Sequence, residues 1–488
     1  MNNTRTDKMF GGMSVQTIAL FITSFLEMLM FSFWSRHLTK TEFGFMAAIS
    51  GVLAIVDCIA EAGLGAAIVQ KKDSTKEFVS TVFSLSFVLG IAGTLVVFAF
   101  APLLANLVSG NDYLSTPLRV MSITVLLKCL LSVANNQLVK QLRFKRKAAI
   151  SIISYILSCG IGIAMIYMGY SLYALIIAYV SCPLINFIIL YTTGLTIPKF
   201  HFEKGYIRGI VSYGGWLTAG SIVNTFTQKA DTLMLSRLIS VDALGAYNRP
   251  AGFVNNISSR INSVFDSVLF PLLSDIQDEK AKIKDVLLRS ISLLNSCSIV
   301  LAALFFFNAE LIITVFFGKQ WVELVPIMRI VSLALIFNVD SRLVDCFFRS
   351  LNLVRLGAIL RFVQGGLTIV AIIIGARYDI IGVAYAITIC EIFVILMKVL
   401  ALVLSVKVSV SAVVLRWFLS WRSVIPFLAI SIPYMFIPHS FVVNIIFALL
   451  FAIMLIIAFV IYPKLIGEEY VRTVTPQIEK IVKKFRRK

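Results

Sequence analysis

Fourteen apolar stretches, each of about twenty residues or more, follow one another along this chain with only short polar connections between them. A segment inside a bilayer has no water to satisfy its backbone N–H and C=O groups, so it must be a helix or part of a closed barrel. Runs of this length select helices. They lie near 13–36, 43–69, 78–104, 116–139, 148–168, 172–193, 207–238, 243–273, 290–313, 323–348, 356–376, 380–404, 420–438 and 440–462. Pro426, Pro433 and Pro438 interrupt the last two. Hydrophobic residues make up 59% of the 488 and charged residues 14%, far from the balance of a soluble domain. The expected fold is an all-α polytopic membrane protein of about fourteen transmembrane helices. The first apolar run shows no small-residue cleavage site and reads as a retained span, not a signal peptide.

Charge placement gives the orientation. Even-numbered loops and the two termini hold 31 Lys and Arg, whereas odd-numbered loops hold five: Arg36, Lys40, Arg237, Lys319 and Arg377. Cytoplasmic loops carry the excess of basic residues, so both termini are expected in the cytoplasm. The net charge of +19 therefore belongs to the membrane topology. No aromatic-basic pattern accompanies it, and no nucleic-acid partner is expected. The basic tail suits anionic lipid headgroups.

The chain also repeats itself. Ser35-Arg36-His37-Leu38 with Phe43-Gly44 matches Ser236-Arg237-Leu238-Ile239 with Leu244-Gly245 at an offset of 201, and Arg119-Val120-Met121-Ser122 matches Arg329-Ile330-Val331-Ser332 at 210. Six spans separate the copies, an even number, so the halves share one handedness, as in transporters built from parallel repeats. The expected organisation is a six-helix lobe over 1–195, a second pseudo-symmetric six-helix lobe over 196–405, two additional C-terminal helices over 406–463 and a basic cytoplasmic tail over 464–488.

Spans seven and eight form the least ordinary part. This hairpin carries Lys229, Asp231, Arg249, Arg260 and Asp266 together with Asn224, Asn255, Asn256 and Asn262. A charge at mid-membrane costs about 2.5–3.5 kcal/mol on insertion scales and seldom faces lipid. Something polar is expected to meet this hairpin.

Around it the residues resemble a known family. Gly214-Gly215-Trp216-Leu217-Thr218, followed by Asn224 and Asp231, is similar to the opening of the second half of Wzx-type oligosaccharide-lipid flippases. So are the run from Leu269-Phe270-Pro271 to Gln277-Asp278, Phe317-Gly318-Lys319-Gln320-Trp321 and Glu42-Phe43-Gly44. The likeness is to the colanic-acid-exporter branch of the multidrug/oligosaccharidyl-lipid/polysaccharide exporter superfamily. It implies two six-helix lobes around a central cavity, plus two helices. It also implies flipping of undecaprenyl-diphosphate-linked oligosaccharide repeat units across the bacterial inner membrane for capsule, O-antigen or exopolysaccharide synthesis. A polymerase and chain-length proteins of such a pathway are the implied protein partners.

Such cargo needs a wet passage lined by cations for the diphosphate and by amides for the sugars. Arg249 and Arg260 are eleven residues apart and share a helix face, about 16 Å apart along the axis. With Lys229 they are the expected anion contacts. Lys128 and Arg342 are further candidates, and Asn224, Asp231, Asn255 and Asn256 are the supporting polar groups. Eight Lys/Arg and eight Asp/Glu lie within spans, so structural ion pairing is the competing reading. Arg342 and Asp345 have the spacing of a within-helix pair. Arg119 and Arg329 sit near span ends where they can snorkel, and Lys398 reads as an anchor near the cytoplasmic end. No acid lies three or four residues from Lys229, Arg249 or Arg260 on the same helix.

Asp57 and Glu61 lie one turn apart on span two and would raise each other's affinity for a proton or Na⁺. They are the candidates for ion coupling, with Glu27 a lesser one; the alternative is that they pair with a base of another span, such as Lys128. No cofactor is expected beyond a Na⁺ or proton gradient. The seven cysteines fall inside apolar stretches without paired spacing and read as packing residues. His37, His201 and His439 are scattered, no metal or nucleophile motif appears, and no enzyme activity is expected. The alternatives are a cation-coupled drug antiporter of the same superfamily, which would want an acid-dominated cavity, and a membrane glycosyltransferase or polymerase, which would want a large extracytoplasmic loop.

Overall fold

The computed structural model describes residues 2–70, 75–110, 112–193, 198–277, 279–434 and 441–456, and every element among them is helical. The tail over 464–488 and the end of the last apolar window lie outside the described residues. The chain packs as two compact units, Met1–Ala246 and Tyr247–Lys488.

The first unit contains α1 (Asn2–His37), α2 (Lys40–Glu61), α3 (Leu64–Gln70), α4 (Lys76–Ala99), α5 (Ala101–Ser109), α6 (Ser115–Lys140), α7 (Phe144–Tyr167), α8 (Ser171–Thr192), α9 (Lys204–Leu238) and the start of α10 (Val241–Asp275). Helix α2 begins where Thr39 and Glu42 form a capping box, each satisfying a backbone N–H of the other's residue. Its counterpart α10 keeps half of that motif, the Ser240 hydroxyl accepting from the Ala243 N–H at 3.0 Å. These caps are 201 residues apart, the offset of the repeat. Two apolar windows of this unit turn out to be broken. The 43–69 window divides into α2 and α3 because Ala62 and Gly63 both take left-handed backbone (φ 44° and 63°). The 78–104 window divides at Phe100, next to Pro102 in the first turn of α5.

Helix α6 is the centre of this unit, packed against α4, α8, α3 and α2, while α7 pairs with α8 and α1. Leu64, Ile68, Phe78, Val82, Leu130 and Ile210 form one apolar core among them. Helix α9 lies on α2, α3, α4 and α5, so the opening helix of the expected second lobe packs inside the first unit.

The second unit contains the rest of α10, α11 (Lys280–Phe307), α12 (Ala309–Ile312), α13 (Val325–Ser350), α14 (Val354–Gly375), α15 (Asp379–Val406), α16 (Val410–Ser420), α17 (Ile425–Tyr434) and α18 (Phe441–Ile456). Helix α13 takes the central place, against α15, α11 and α14. The repeat reappears in detail. The Arg119 guanidinium lies 5.5 Å from the Phe98 ring, and that of Arg329 lies 5.9 Å from the Phe306 ring. Ser122 and Ser332 donate to the carbonyls of those same arginines, at 2.7 and 2.9 Å.

Helix α16 starts at Val410, ten residues ahead of the apolar window expected there. The chain passes through a tight turn at Trp421–Val424 before α17, where Pro426 sits harmlessly in the first helical turn. Ile299, Ala302 and Ile336 of α11 and α13 pack with Phe427, Tyr434, Phe447 and Phe451 of α17 and α18.

Among the described residues, nine helical segments are long and apolar enough to cross a membrane, with α14 and α15 counted as one. Each of the fourteen apolar windows overlaps a helix. Helices α9 and α10, at 35 residues each, fall outside the nine because of their polar residues. The chain is an all-α, multi-pass membrane protein.

Candidate functional site

The outer faces of the apolar helices show what contact with lipid looks like in this chain. On α14 the exposed residues include Ile359, Phe362 and Val370, and on α15 they include Phe393, Leu396 and Leu400. Helix α10 is built the other way. Its inner face carries Leu244, Ala251, Val254, Ser258, Leu269 and Leu273, all buried. Asn255, Asn256 and Ser263 are exposed, Gly252, Ser259, Arg260 and Asp266 are half-buried, and beyond them Phe270 and Leu272 are exposed as well. A stripe of amides, hydroxyls and a guanidinium on the open side of a membrane helix is costly against hydrocarbon and stable against water. Of the two arginines expected to share a face, Arg260 lies on this stripe and Arg249 is buried one helix end away. Asp266, at the far end, accepts from Arg349 of α13 at 2.8 Å.

Helix α9, in the first unit, has a similar open side. Ser221 and Gln228 are exposed and Thr218, Thr225 and Lys229 half-buried, at spacings of three and four residues that keep them on one flank. The side chains of Asn224 and Asp231 lie outside the described residues.

The paired acids of α2 do meet a base. Lys128 of α6 donates from Nζ to Asp57 Oδ2 at 2.6 Å and to the Tyr179 hydroxyl of α8 at 3.2 Å. Its ammonium also stands 5.2 Å from the centre of the Tyr179 ring. Asp57 Oδ1 is buried without a hydrogen-bond partner. Glu61, half-buried one turn on, feels both Asp57 and Lys128. One ammonium thus serves two carboxylates, leaving a formal surplus of negative charge that a proton or small cation can offset. Tyr179 was not legible as a member of this group. Glu27 is exposed on α1, with Tyr155 of α7 in its field.

The equivalent position in the second unit is neutral. By the repeat offsets Asp57 corresponds to Ser258 and Lys128 to Asn338, and there the Ser258 hydroxyl lies 3.5 Å from Asn338 Oδ1.

The second unit keeps its charges elsewhere. Lys398 is 1% exposed, not an interfacial anchor as its position suggested: Nζ donates to Ser341 Oγ at 2.8 Å and to Asp345 Oδ2 at 3.2 Å. Arg361 of α14 approaches the same carboxylate at 3.6 Å. Asp345 therefore ties α13 to α14 and α15, and the within-helix pair with Arg342 does not form. Arg342 remains half-buried in the combined field of Glu391, Asp345 and Asp266. Sequence spacing pointed to the wrong partner because the true ones sit on other helices.

Residues 33–326, more than half of the chain, match the family model described as "Polysaccharide biosynthesis protein". The chain belongs to that family. The teichuronic acid biosynthesis protein TuaB of Bacillus subtilis is 24% identical over 336 residues, covering 68% of this chain and 69% of the relative. The succinoglycan biosynthesis transport protein ExoT of Rhizobium meliloti is 26% identical over 305 residues, 62% of this chain and 60% of ExoT. The lipopolysaccharide biosynthesis protein WzxC of Escherichia coli is 20% identical over 326 residues, 66% of each chain. Among solved structures, the lipid II flippase MurJ in an inward closed conformation superposes with a TM-score of 0.67 at 16% identity, covering 90% of this chain and 99% of MurJ. An inward-facing multidrug resistance MATE transporter gives 0.64 at 14% identity, covering 78% of this chain and 93% of the transporter. At such identities the likeness shows the fold of this chain alone.

Proposed function

We propose that this protein flips an undecaprenyl-diphosphate-linked oligosaccharide from the cytoplasmic to the periplasmic leaflet of the bacterial inner membrane, for surface polysaccharide synthesis. The observation that carries the reading is the inverted polarity of α10 over 255–263, whose open side is amide, hydroxyl and guanidinium where the outer helices are apolar. Such a surface can shield a sugar and pair with a diphosphate while the lipid tail stays in hydrocarbon. Family membership supports it, as do relatives named for teichuronic acid, succinoglycan and lipopolysaccharide synthesis. The fold shared with a lipid II flippase supports it as well.

In this scheme Arg260 and Arg249 contact the diphosphate and Asn255 and Asn256 the sugars. Two six-helix lobes with boundaries near 195 and 405 alternate their exposure, with both termini cytoplasmic. The Asp57–Lys128–Glu61 group takes the coupling ion, proton or Na⁺, and no bond of the cargo is made or broken. A polymerase and chain-length proteins receive the product.

The test is complementation of a deletion strain. Cells lacking the protein are expected to accumulate lipid-linked oligosaccharide and lose surface polysaccharide. The wild-type chain should restore export, and Arg260→Ala should fail to do so while inserting normally. Full export by the Arg260→Ala variant would remove the role given to α10. In proteoliposomes, Asp57→Asn is expected to change the dependence on the ion gradient.

A further inference from the structure

Asp340 of α13 is 4% exposed, and the flipping scheme makes no use of it. Among the described residues its one hydrogen-bond donor is the indole N–H of Trp417, on α16, at 3.1 Å from Oδ2. The other oxygen, Oδ1, is buried without a partner. Among the described residues no cation pairs with this carboxyl. On the helices packed against α13, Lys398 and Arg361 go to Asp345 and Arg289 of α11 pairs with Asp285. Arg416 of α16 forms no ion pair with Asp340, Glu391 of α15 is itself an acid, and Arg342 on the same helix lies in the field of Glu391, Asp345 and Asp266. An isolated carboxylate so enclosed is expensive to keep ionised, and a neutral indole donor offsets only part of that cost. Proteins meet this situation by supplying a counter-charge or by protonating the group.

The surroundings are built for reading such a change. Trp417 is stacked on Phe337 of α13 (centroids 6.4 Å apart) and edge-on to Trp421 (5.5 Å). Three residues on, the Ser420 hydroxyl donates to the Arg416 carbonyl at 2.8 Å and lies 3.3 Å from the Ser292 carbonyl of α11. The Ser423 hydroxyl donates to the Ser420 carbonyl at 2.7 Å and lies 3.4 Å from that of Ser296. Between Ser292 and Ser296 lies Asn295, fully buried, with neither amide atom hydrogen-bonded. The seat of α16 on α11 and α13 thus contains two enclosed polar groups with unused capacity.

We propose that Asp340 is a proton-binding site whose occupancy is transmitted to α16 through Trp417. With the proton on Oδ1 the carboxyl is neutral and Oδ2 accepts an ordinary hydrogen bond. With the proton released, the indole N–H···O⁻ contact becomes charge-assisted and tighter. The segment that follows the repeated helices is thereby linked to a protonation equilibrium on α13, apart from the charged groups of α2 and α10.

Infrared difference spectra of the full-length protein, taken between acid and alkaline buffer, test this. The wild type should show a neutral-carboxyl C=O band at acid pH that disappears in alkali, and Asp340→Asn should abolish that band. Trp417→Phe keeps the carboxyl and removes its donor, so the band should persist at a shifted frequency. This second variant decides the matter if Asp340→Asn does not insert. Identical difference spectra for the wild type and both variants would overturn the proposal. So would a response to Na⁺ at fixed pH in place of the response to pH, because the ligand would then be the metal ion. Neither result bears on whether oligosaccharide is flipped.

Discussion

Gly44 of α2 and Gly245 of α10 occupy matching places at a crossing where each meets the other's helix backbone: a Cβ on Gly44 would collide with the Val241 carbonyl, and one on Gly245 with that of Lys40. All four residues belong to the first unit. The 201-residue repeat therefore brings its two copies of Phe/Leu-Gly into direct apposition, and only glycine fits. Gly44→Val and Gly245→Ala must each push a main chain aside, at about 1–3 kcal/mol by analogy with overpacked cores. Both should lower the melting temperature of the detergent-purified protein. Gly160→Ala of α7, with open space around it, should be neutral or slightly stabilising on helix propensity.

The Asp57–Lys128 pair makes a double-mutant test. Removing one partner leaves the other's charge half-enclosed, so Lys128→Met and Asp57→Asn are each expected to cost about 3 kcal/mol. The double substitution should cost less than the two singles together. Glu61 sets the asymmetry. Losing Lys128 strands two carboxylates, whereas losing Asp57 leaves Lys128 with Glu61 nearby and Tyr179 at 3.2 Å, so Lys128→Met should be the worse single. Equal melting temperatures for the wild type and both singles would show that water reaches the pair and screens it.

What the sequence revealed and what it hid divide along one physical line. Hydropathy windows are local sums, and every one overlaps a helix. The break at Ala62 has no composition signal because left-handed backbone at an alanine is not marked in sequence, whereas the break at Phe100 is marked only by Pro102, which a hydropathy sum does not register. The repeat was legible from Ser35-Arg36 and Arg119, and it returns in paired caps and paired arginine–phenylalanine contacts. That spans seven and eight carry an unusual set of charges and amides was legible from composition alone, but which of them share an open face was not: Arg260 lies on the stripe of α10 and Arg249 is buried. Partner choice was legible only where a single cation stood out, as with Lys128. Lys398 and Asp345 are 53 residues apart, and nothing in spacing selects that pair over Arg342.

The open stripe of α10 distinguishes charge from shape. Asn255→Leu with Asn256→Leu would remove both amides from this side and leave Ser259, Arg260 and Ser263. The variant should insert at least as well as the wild type, since apolar residues are cheaper in a bilayer, yet export should fall sharply. Arg249→Lys should retain more export than Arg249→Ala, because it keeps the positive charge. Equal losses in the two would indicate that the guanidinium's shape matters at this buried position, where its planar donors are not reproduced by an ammonium. Surface polysaccharide per inserted protein is the measurement.

Lys398 and Asp345 should respond unequally to loss of their partner. Without Lys398, the Asp345 carboxylate still has Arg361 at 3.6 Å and remains compensated. Without Asp345, the Lys398 ammonium is left at 1% exposure with the Ser341 hydroxyl as its remaining hydrogen bond, and a neutral hydroxyl does not balance a buried charge. Asp345→Asn is therefore expected to cost several kcal/mol, within the range of about 3–5 kcal/mol for a broken buried pair. Lys398→Met should cost clearly less. Adding Lys398→Met to Asp345→Asn should recover stability, since it removes the stranded ammonium and leaves Arg361, half-buried, free to reach water. Thermal melts of the three variants check the order, and a Lys398→Met variant less stable than Asp345→Asn would mean that Arg361 does not hold Asp345.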